Sequence, residues 1–435
     1  MGSFTLLQDG RVHCPLHSRT TPSDPPEPVD ILVAGGRVVA MGSLADVATG
    51  PLKGLVEVVA LDGRAVIPGL VDAHVHLGGG GGEGGFRSRV PRVDLVELVR
   101  HGVTSVVGVL GTDGATRTMR DLVACAYALR EEGISAWCYT GNYHVPVKTL
   151  TGSVKDDIVF VDPIIGVGEL AISDHRSSQP TFEEVIRIAS EAYVAGLTAD
   201  KAGIMHLHLG DGGRGLELIA RALTETELPA RIWQPTHLNR NPRLWDEAKS
   251  LGRRADPPRF DVTAFPPDDD PSTLIASAAV LDWIACGLPY DRLSVSSDGG
   301  GCLPVFADGR MVGMGVGSAS TLLATVRDLV KAGMPLAKAI APVTLHPAEA
   351  LGLSARKGWL GVGADADLVV LDGAEHRVSP WLVMARGRVM MTAGEPTAAG
   401  LGTFGGRSDH PHSRPAAPTA DLEAVATPTP PKETR

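Results

Sequence analysis

Ile67-Pro68-Gly69-Leu70-Val71-Asp72-Ala73-His74-Val75-His76 is an apolar run that ends in two histidines one residue apart. In a strand, side chains two positions apart share a face, so both imidazoles can point at one ion. A buried histidine that merely satisfies a hydrogen bond is the ordinary alternative, and a single pair does not decide between the two. What tips the balance lies further on, where His208, His237 and Asp298 each close another short apolar run. Ligands gathered from several strand ends are the pattern of one rim of a barrel.

Working outward, the stretch from about residue 64 repeats strand, loop, helix. Strands are expected at Val66–His74, Ser105–Leu110, Ile134–Thr140, Ile164–Ser173, Gly203–Leu209, Arg231–Thr236, Phe260–Ala264 and Arg292–Ser297. Helical periodicity separates most of them, as at Thr116–Glu132, Phe182–Ala195, Leu216–Thr226 and Pro271–Cys286, and continues at Leu322–Ala332 and Pro335–Leu351. Eight parallel strands alternating with helices read as an α/β protein of the (β/α)8 TIM-like barrel type over residues 64–352, with its chemistry where the strands end.

Residues 1–63 and 353–402 read differently. Short β-type runs such as Phe4–Gln8, Asp30–Val33, Arg37–Ala40, Leu368–Leu371, Trp381–Ala385 and Arg388–Thr392 are separated by turn signals. The economical arrangement pairs the two ends into one small β-sandwich. Pro22 to Pro28 form a loop insert, and residues 403–435, rich in Gly, Ser, Pro and Thr without apolar periodicity, read as a disordered tail whose His410 and His412 are solvated.

Composition narrows the partners. The net charge of −10 and absence of Lys/Arg clusters argue against a nucleic-acid surface. No run reaches the ~18 apolar residues that a membrane helix needs, and no secretory leader pattern opens the chain. Five scattered cysteines without CxxC spacing fit a reducing compartment, so a cytoplasmic protein acting on small molecules is expected.

Several segments carry a more specific likeness: Pro68–Leu77 with Gly78–Gly82 and Glu83, Gly102–Gly108 to Gly111-Thr112-Asp113, Gly141-Asn142-Tyr143-His144-Val145-Pro146, Ala171–Arg176, Pro235–Arg240, and Ser296–Gly299. Through them the chain resembles the amidohydrolase superfamily and, within it, the bacterial isoaspartyl dipeptidases. The resemblance runs from about Phe4 to about Pro396. It implies hydrolysis of the β-aspartyl bond of a small acidic dipeptide, by a homo-oligomer.

The chemistry of the residues agrees. His74, His76, His208, His237 and Asp298 exceed what one tetrahedral ion needs, which implies two divalent metals, zinc above all, with manganese, iron or cobalt as substitutes. The resemblance places a carboxylated lysine on strand four as their bridge. This chain has Glu169 there, which carries the same single charge on a shorter side chain, and Gly168 before it would permit a bulge that brings the backbone inward. A hydroxide shared by the two ions would attack the amide carbonyl, Asp298 would carry the proton to the leaving amine, and Tyr143 would stabilise the oxyanion.

Charge suggests the rest. Glu83 suits a substrate ammonium and Thr112 a hydroxyl contact, while Arg176 and Arg240 suit carboxylates. The resembling family typically has serine where this chain has Cys302, which reads as a changed substrate contact and not as a nucleophile. Two other readings stay open: an amidohydrolase acting on a cyclic amide or N-acyl amino acid, and a catalytically silent metal-binding paralogue.

Overall fold

A computed structural model describes residues 4–16, 26–51, 53–266, 273–307, 310–373 and 377–403. Most of the Pro22–Pro28 insert, the start of the helix expected at Pro271, and the tail with His410 and His412 lie outside the described residues.

Six parallel strands form a curled sheet in the order Trp233–Thr236, Ile204–Leu209, Ile164–Ile172, Ser135–Thr140, Val103–Gly108, Leu70–Val75. Nearly every residue of these strands is buried, which is why they read as continuous Val, Ile and Leu runs and not as alternating ones. A parallel pair, Phe260–Thr263 and Leu293–Ser296, stands beside both edges of that sheet. The Leu238 N–H donates to the Asp261 carbonyl at 3.3 Å on one side, and the His76 N–H donates to the Gly299 carbonyl at 2.8 Å on the other.

Helices cover the outside. Phe182–Ala199 shows why they form where they do: Thr181 and Glu184 make a reciprocal capping box, and Val185, Ile188, Ala189, Ala192 and Ala195 repeat at helical spacing to face the core. Among the described residues no helix is long and apolar enough to cross a membrane.

Both chain ends meet in a second sheet of nine strands, mixed in direction, in which Leu368–Leu371 pairs antiparallel with Ala65–Pro68. The expected sandwich is therefore one hydrogen-bonded sheet, and period-two alternation covers both of its faces. Val66, Leu368, Val370, Leu382 and Met384 join the sheet's own apolar cluster. Their neighbours Ala65, Ile67, Val369, Leu371, Val383 and Ala385 belong to the main core instead. Buried Lys357 adds a polar tie, reaching Asp365 at 2.8 Å, Asp367 at 2.5 Å and Ser135 at 2.7 Å.

Three expectations need correction. The strand expected at Val66–His74 is two strands in different sheets, broken at Gly69, where an added Cβ would lie 2.7 Å from Thr104 Cγ2. The helix expected at Pro335–Leu351 is split into Leu336–Ala339, a 3-10 turn at Ala341–Val343 and Leu345–Ala350, because Pro342 supplies no N–H and Thr344 leaves helical geometry. A hairpin, Cys302–Ala307 with Arg310–Val316, follows the last parallel strand without having been anticipated.

Candidate functional site

The parallel strands deliver their polar residues to one end. His74 Nε2 lies 3.6 Å from Glu169 Oε2 and 3.4 Å from Asp298 Oδ1, and His76 Nε2 lies 3.6 Å from Glu169 Oε1 and 3.1 Å from Asp298 Oδ1. His208 Nδ1 and His237 Nε2 approach Glu169 Oε2 at 3.2 and 3.8 Å. Glu169 thus turns one oxygen to His76 and the other to His74, His208 and His237.

Among the described residues two groups have ligand atoms close enough to hold an ion: His74, His76 and Asp298, and His74, Glu169 and His237. His74 Nε2, Glu169 Oε1 and Asp298 Oδ1 are buried with no hydrogen-bond partner among the described residues. Buried polar atoms are nearly always satisfied, so unsatisfied lone pairs converging from imidazoles and carboxylates fit a divalent cation. His208 stands outside both groups, with Nδ1 on the Tyr143 hydroxyl at 2.8 Å and Nε2 on Asp174 at 3.0 Å.

The backbone explains how Glu169 reaches the cluster. Register slips between strands Ile164–Ile172 and Ile204–Leu209, where Met205 pairs with Val167 but Leu207 pairs with Leu170. The extra residue is a bulge at Gly168 and Glu169, as the glycine suggested. Only glycine fits: φ is +149°, and a Cβ would sit 2.5 Å from the His206 carbonyl oxygen. His237 and Asp298 also adopt left-handed φ, 61° and 52°, one and two residues after their strands. Such conformations are uncommon for residues with side chains and cluster at functional sites.

Opposed charges set the protonation states. Burial pushes the Asp298 carboxyl up, but contacts with His74 and His76 outweigh it and hold the group well below the usual carboxylate range. Glu169 behaves alike: burial opposes its charge, and His74, His208 and His237 restore it. Burial likewise disfavours the His74 cation, yet Glu169 and Asp298 raise its pKa to about 9, so a divalent cation bound between these groups would take the place of that proton. Burial and the nearby Glu169 charge push the Tyr143 hydroxyl well up, so it stays a proton donor.

Around this cluster lie the charged residues singled out from the sequence. Arg176 grips both oxygens of Asp174, at 3.0 and 2.7 Å, and both oxygens of Glu83, at 3.1 and 3.2 Å. The Thr112 hydroxyl donates to Glu83 as well. Arg240 Nη1 donates to the Leu209 carbonyl at 2.6 Å and lies 3.5 Å from His208 Nε2. Cys302 is half-buried beside the glycine run: a Cβ on Gly81 would lie 3.4 Å from its Sγ. Burial, with Glu83 and Asp298, raises its thiol pKa, which opposes a thiolate nucleophile.

Sequence reasoning missed the polar layer beneath. Asp72 accepts from the Ser297 hydroxyl and, at 3.1 Å, from the Ser297 N–H. Asp261 gathers the hydroxyls of Thr236, Ser294 and Ser296, and His237 Nδ1 meets the Thr263 hydroxyl at 2.6 Å. Asp174 stood in a quoted motif without a role. His206 carries a signal of its own, since His206-Leu207-His208 repeats the spacing of His74-Val75-His76.

The amidohydrolase family model matches residues 281–395. The β-aspartyl dipeptidase of Fervidobacterium islandicum AW-1, solved in complex with a β-Asp-Leu dipeptide, is 37% identical, with 91% of this chain and 98% of that one covered and a TM-score of 0.83. An L-hydantoinase (dihydropyrimidinase) from Arthrobacter aurescens is 18% identical at a TM-score of 0.62, with 91% of this chain and 97% of that one covered, a likeness of fold alone. Bovine N-acetylglucosamine-6-phosphate deacetylase is 46% identical over 61 residues, which span 14% of this chain and 15% of that enzyme.

Proposed function

The chain belongs to the amidohydrolase superfamily, and on that premise we propose that it is a metal-dependent dipeptidase that cleaves the β-aspartyl isopeptide bond of small acidic dipeptides. The observation that carries this reading is Glu83 and Arg176 facing each other at the mouth of the histidine and carboxylate cluster. An anion and a cation side by side suit a substrate that brings both a free amine and a carboxylate.

Two divalent ions, zinc in this reading, would be held by His74, His76, Glu169, His208, His237 and Asp298, and when bound they supply an activated water near neutral pH and polarise the scissile carbonyl. Asp298, ionised in this setting, accepts a proton and returns it to the departing amine. Tyr143, kept protonated, donates to the carbonyl oxygen as charge develops there. Glu83 and Thr112 take the substrate ammonium, Arg176 and Arg240 take its carboxylates, and Cys302 forms part of the same wall.

The remaining parts of the reading are architectural. The eight parallel strands close as a (β/α)8 barrel over residues 64–352, supported by the hydrogen bonds that link the Phe260–Thr263 and Leu293–Ser296 pair to both edges of the six-stranded sheet. Residues 1–63 and 353–402 make the second domain. The protein works in the cytoplasm, a reading supported by its unpaired cysteines, and as a homo-oligomer, as the resemblance of its sequence motifs implies.

The test is a substrate panel on the purified protein: β-aspartyl dipeptides, their N-acetylated forms, hydantoin, dihydroorotate and N-acetyl sugars. The β-aspartyl dipeptides are expected to give the highest kcat/KM. Preference for a cyclic amide or an acetylated substrate would overturn the reading.

A further inference from the structure

His206 is fully buried on the strand Ile204–Leu209, two residues before His208 and on the same face. Its Nε2 lies 2.8 Å from His74 Nδ1, and its ring stacks on Tyr139 with centroids 4.8 Å apart and planes inclined by 20°. Its other nitrogen, Nδ1, is buried and finds no hydrogen-bond partner among the described residues.

The two imidazoles constrain each other. His74 Nε2 is the atom aimed at Glu169 and Asp298, so as a ligand it offers its lone pair there and carries its proton on Nδ1. The Nδ1–H must then donate, and His206 Nε2 is the acceptor that faces it. His206 in turn carries its own proton on Nδ1, the nitrogen without a partner. A buried group left unsatisfied at one end needs a reason at the other.

We propose that His206 is a positioning residue for the metal centre, an acceptor that fixes the tautomer and ring plane of His74 so that Nε2 faces the ion. Histidine ligands usually lean on a carboxylate or a backbone carbonyl for this purpose. Here a second imidazole takes that place, held flat by Tyr139, and it adds no further charge to a site already rich in carboxylates. The inference rests on His74 being a metal ligand and is independent of which amide is cleaved.

Three full-length proteins test it: wild type, His206→Phe, which keeps a flat ring against Tyr139 but removes the acceptor, and His206→Gln, which restores one. Each is stripped with a chelator and titrated with Zn2+ against a chromophoric competitor, then with Co2+ while the visible spectrum is read. His206→Phe is expected to weaken metal binding by ~10–100-fold, the usual effect of losing such a partner, and to shift the cobalt bands, whereas His206→Gln recovers most of the affinity. Equal affinity and an unchanged cobalt spectrum in His206→Phe would overturn the proposal, as would an equal loss in both variants, which would show that restoring an acceptor does not restore the site. A second measurement needs no variant. In the zinc-loaded wild type labelled with 15N-histidine, His206 is expected as the neutral Nδ1–H tautomer, and the Nε2–H tautomer would overturn the assignment. A wild type that takes up no divalent ion would defeat the metal reading and this inference together; metal uptake unaffected by His206→Phe would defeat this inference alone.

Discussion

Arg176 holds Glu83 and Asp174 at once, its Nη1 3.1 Å from a Glu83 oxygen and its Nη2 2.7 Å from an Asp174 oxygen. The Asp174 contact anchors the guanidinium, and the Glu83 contact is the one a zwitterionic substrate can replace from both sides, ammonium to Glu83 and carboxylate to Arg176. Glu83→Gln is therefore expected to lower kcat/KM for β-aspartyl dipeptides by ~10–100-fold, the worth of a charged hydrogen bond of about 1.5–3 kcal/mol. Steady-state kinetics with free and N-acetylated substrate check this. A Glu83→Gln enzyme that loses nothing on the free dipeptide removes Glu83 from recognition.

Asp298 sits between His74 and His76, so its replacement separates proton transfer from binding. Asp298→Asn is expected to reduce kcat by ~10²–10⁴ with a comparable fall in kcat/KM and little change in substrate binding. Metal content measured on the same samples shows whether the loss is chemical or follows from a lost ion. Near-normal turnover would exclude the residue from the reaction.

Glu169 differs from the carboxylated lysine that the resemblance implied, and the difference has a direct consequence. A side chain with a built-in carboxylate needs no carbon dioxide to assemble the centre, so stripped protein given zinc in bicarbonate-free buffer should recover full activity and two ions per chain. In the proposed centre Glu169→Gln would remove one anion from beside the two dications and should bring occupancy towards one, with activity falling in step. Two tightly held metals and normal turnover in Glu169→Gln would make it a structural residue of its strand.

The bulge that carries Glu169 makes a separate prediction at Gly168. Gly168→Ala forces a Cβ against the His206 backbone, and a loss of roughly 1–3 kcal/mol in urea unfolding is expected, together with reduced metal content. Gly152→Ala is the control, because its φ of +98° is equally left-handed while nothing lies within 4 Å of the added carbon. Equal losses at the two positions would mean that backbone conformation, and not the approach to His206, accounts for the effect.

How much of this was readable beforehand depends on the kind of signal. The parallel strands and most flanking helices announce themselves because burial on both faces and helical periodicity are local properties of the chain, as at Ile164–Ile172 and Phe182–Ala199. His74 and His76 are legible for the same reason, their spacing being a strand's own. The break at Gly69 was hidden because Val66 and Val71 look alike in sequence while belonging to different sheets, a fact settled by Thr104 and by Leu368. The polar layer was hidden too. Asp261 is an isolated acidic residue until the fold brings Thr236, Ser294 and Ser296 to it, and His206 had a visible spacing signal whose partner, His74, lies on another strand.

The seam between Leu368–Leu371 and Ala65–Pro68 bears on the order of events during synthesis. The strand that presents His74 and His76 leaves directly from Pro68, and its first step is clamped where the Gly69 N–H donates to the Asp367 carbonyl at 2.9 Å. Asp367 and Leu368 are made long after His76, by roughly a quarter of a minute to a minute at ~5–20 residues per second. Throughout that interval the base of this strand has its neighbour Val103–Gly108 but not Leu368–Leu371, and the apolar side chains of Ala65 and Ile67 lack the Val369 and Leu371 they later share a core with. An ion that arrives while the ribosome is still upstream of residue 367 meets His74 and His76 on a strand whose seam to Leu368–Leu371 is not yet made.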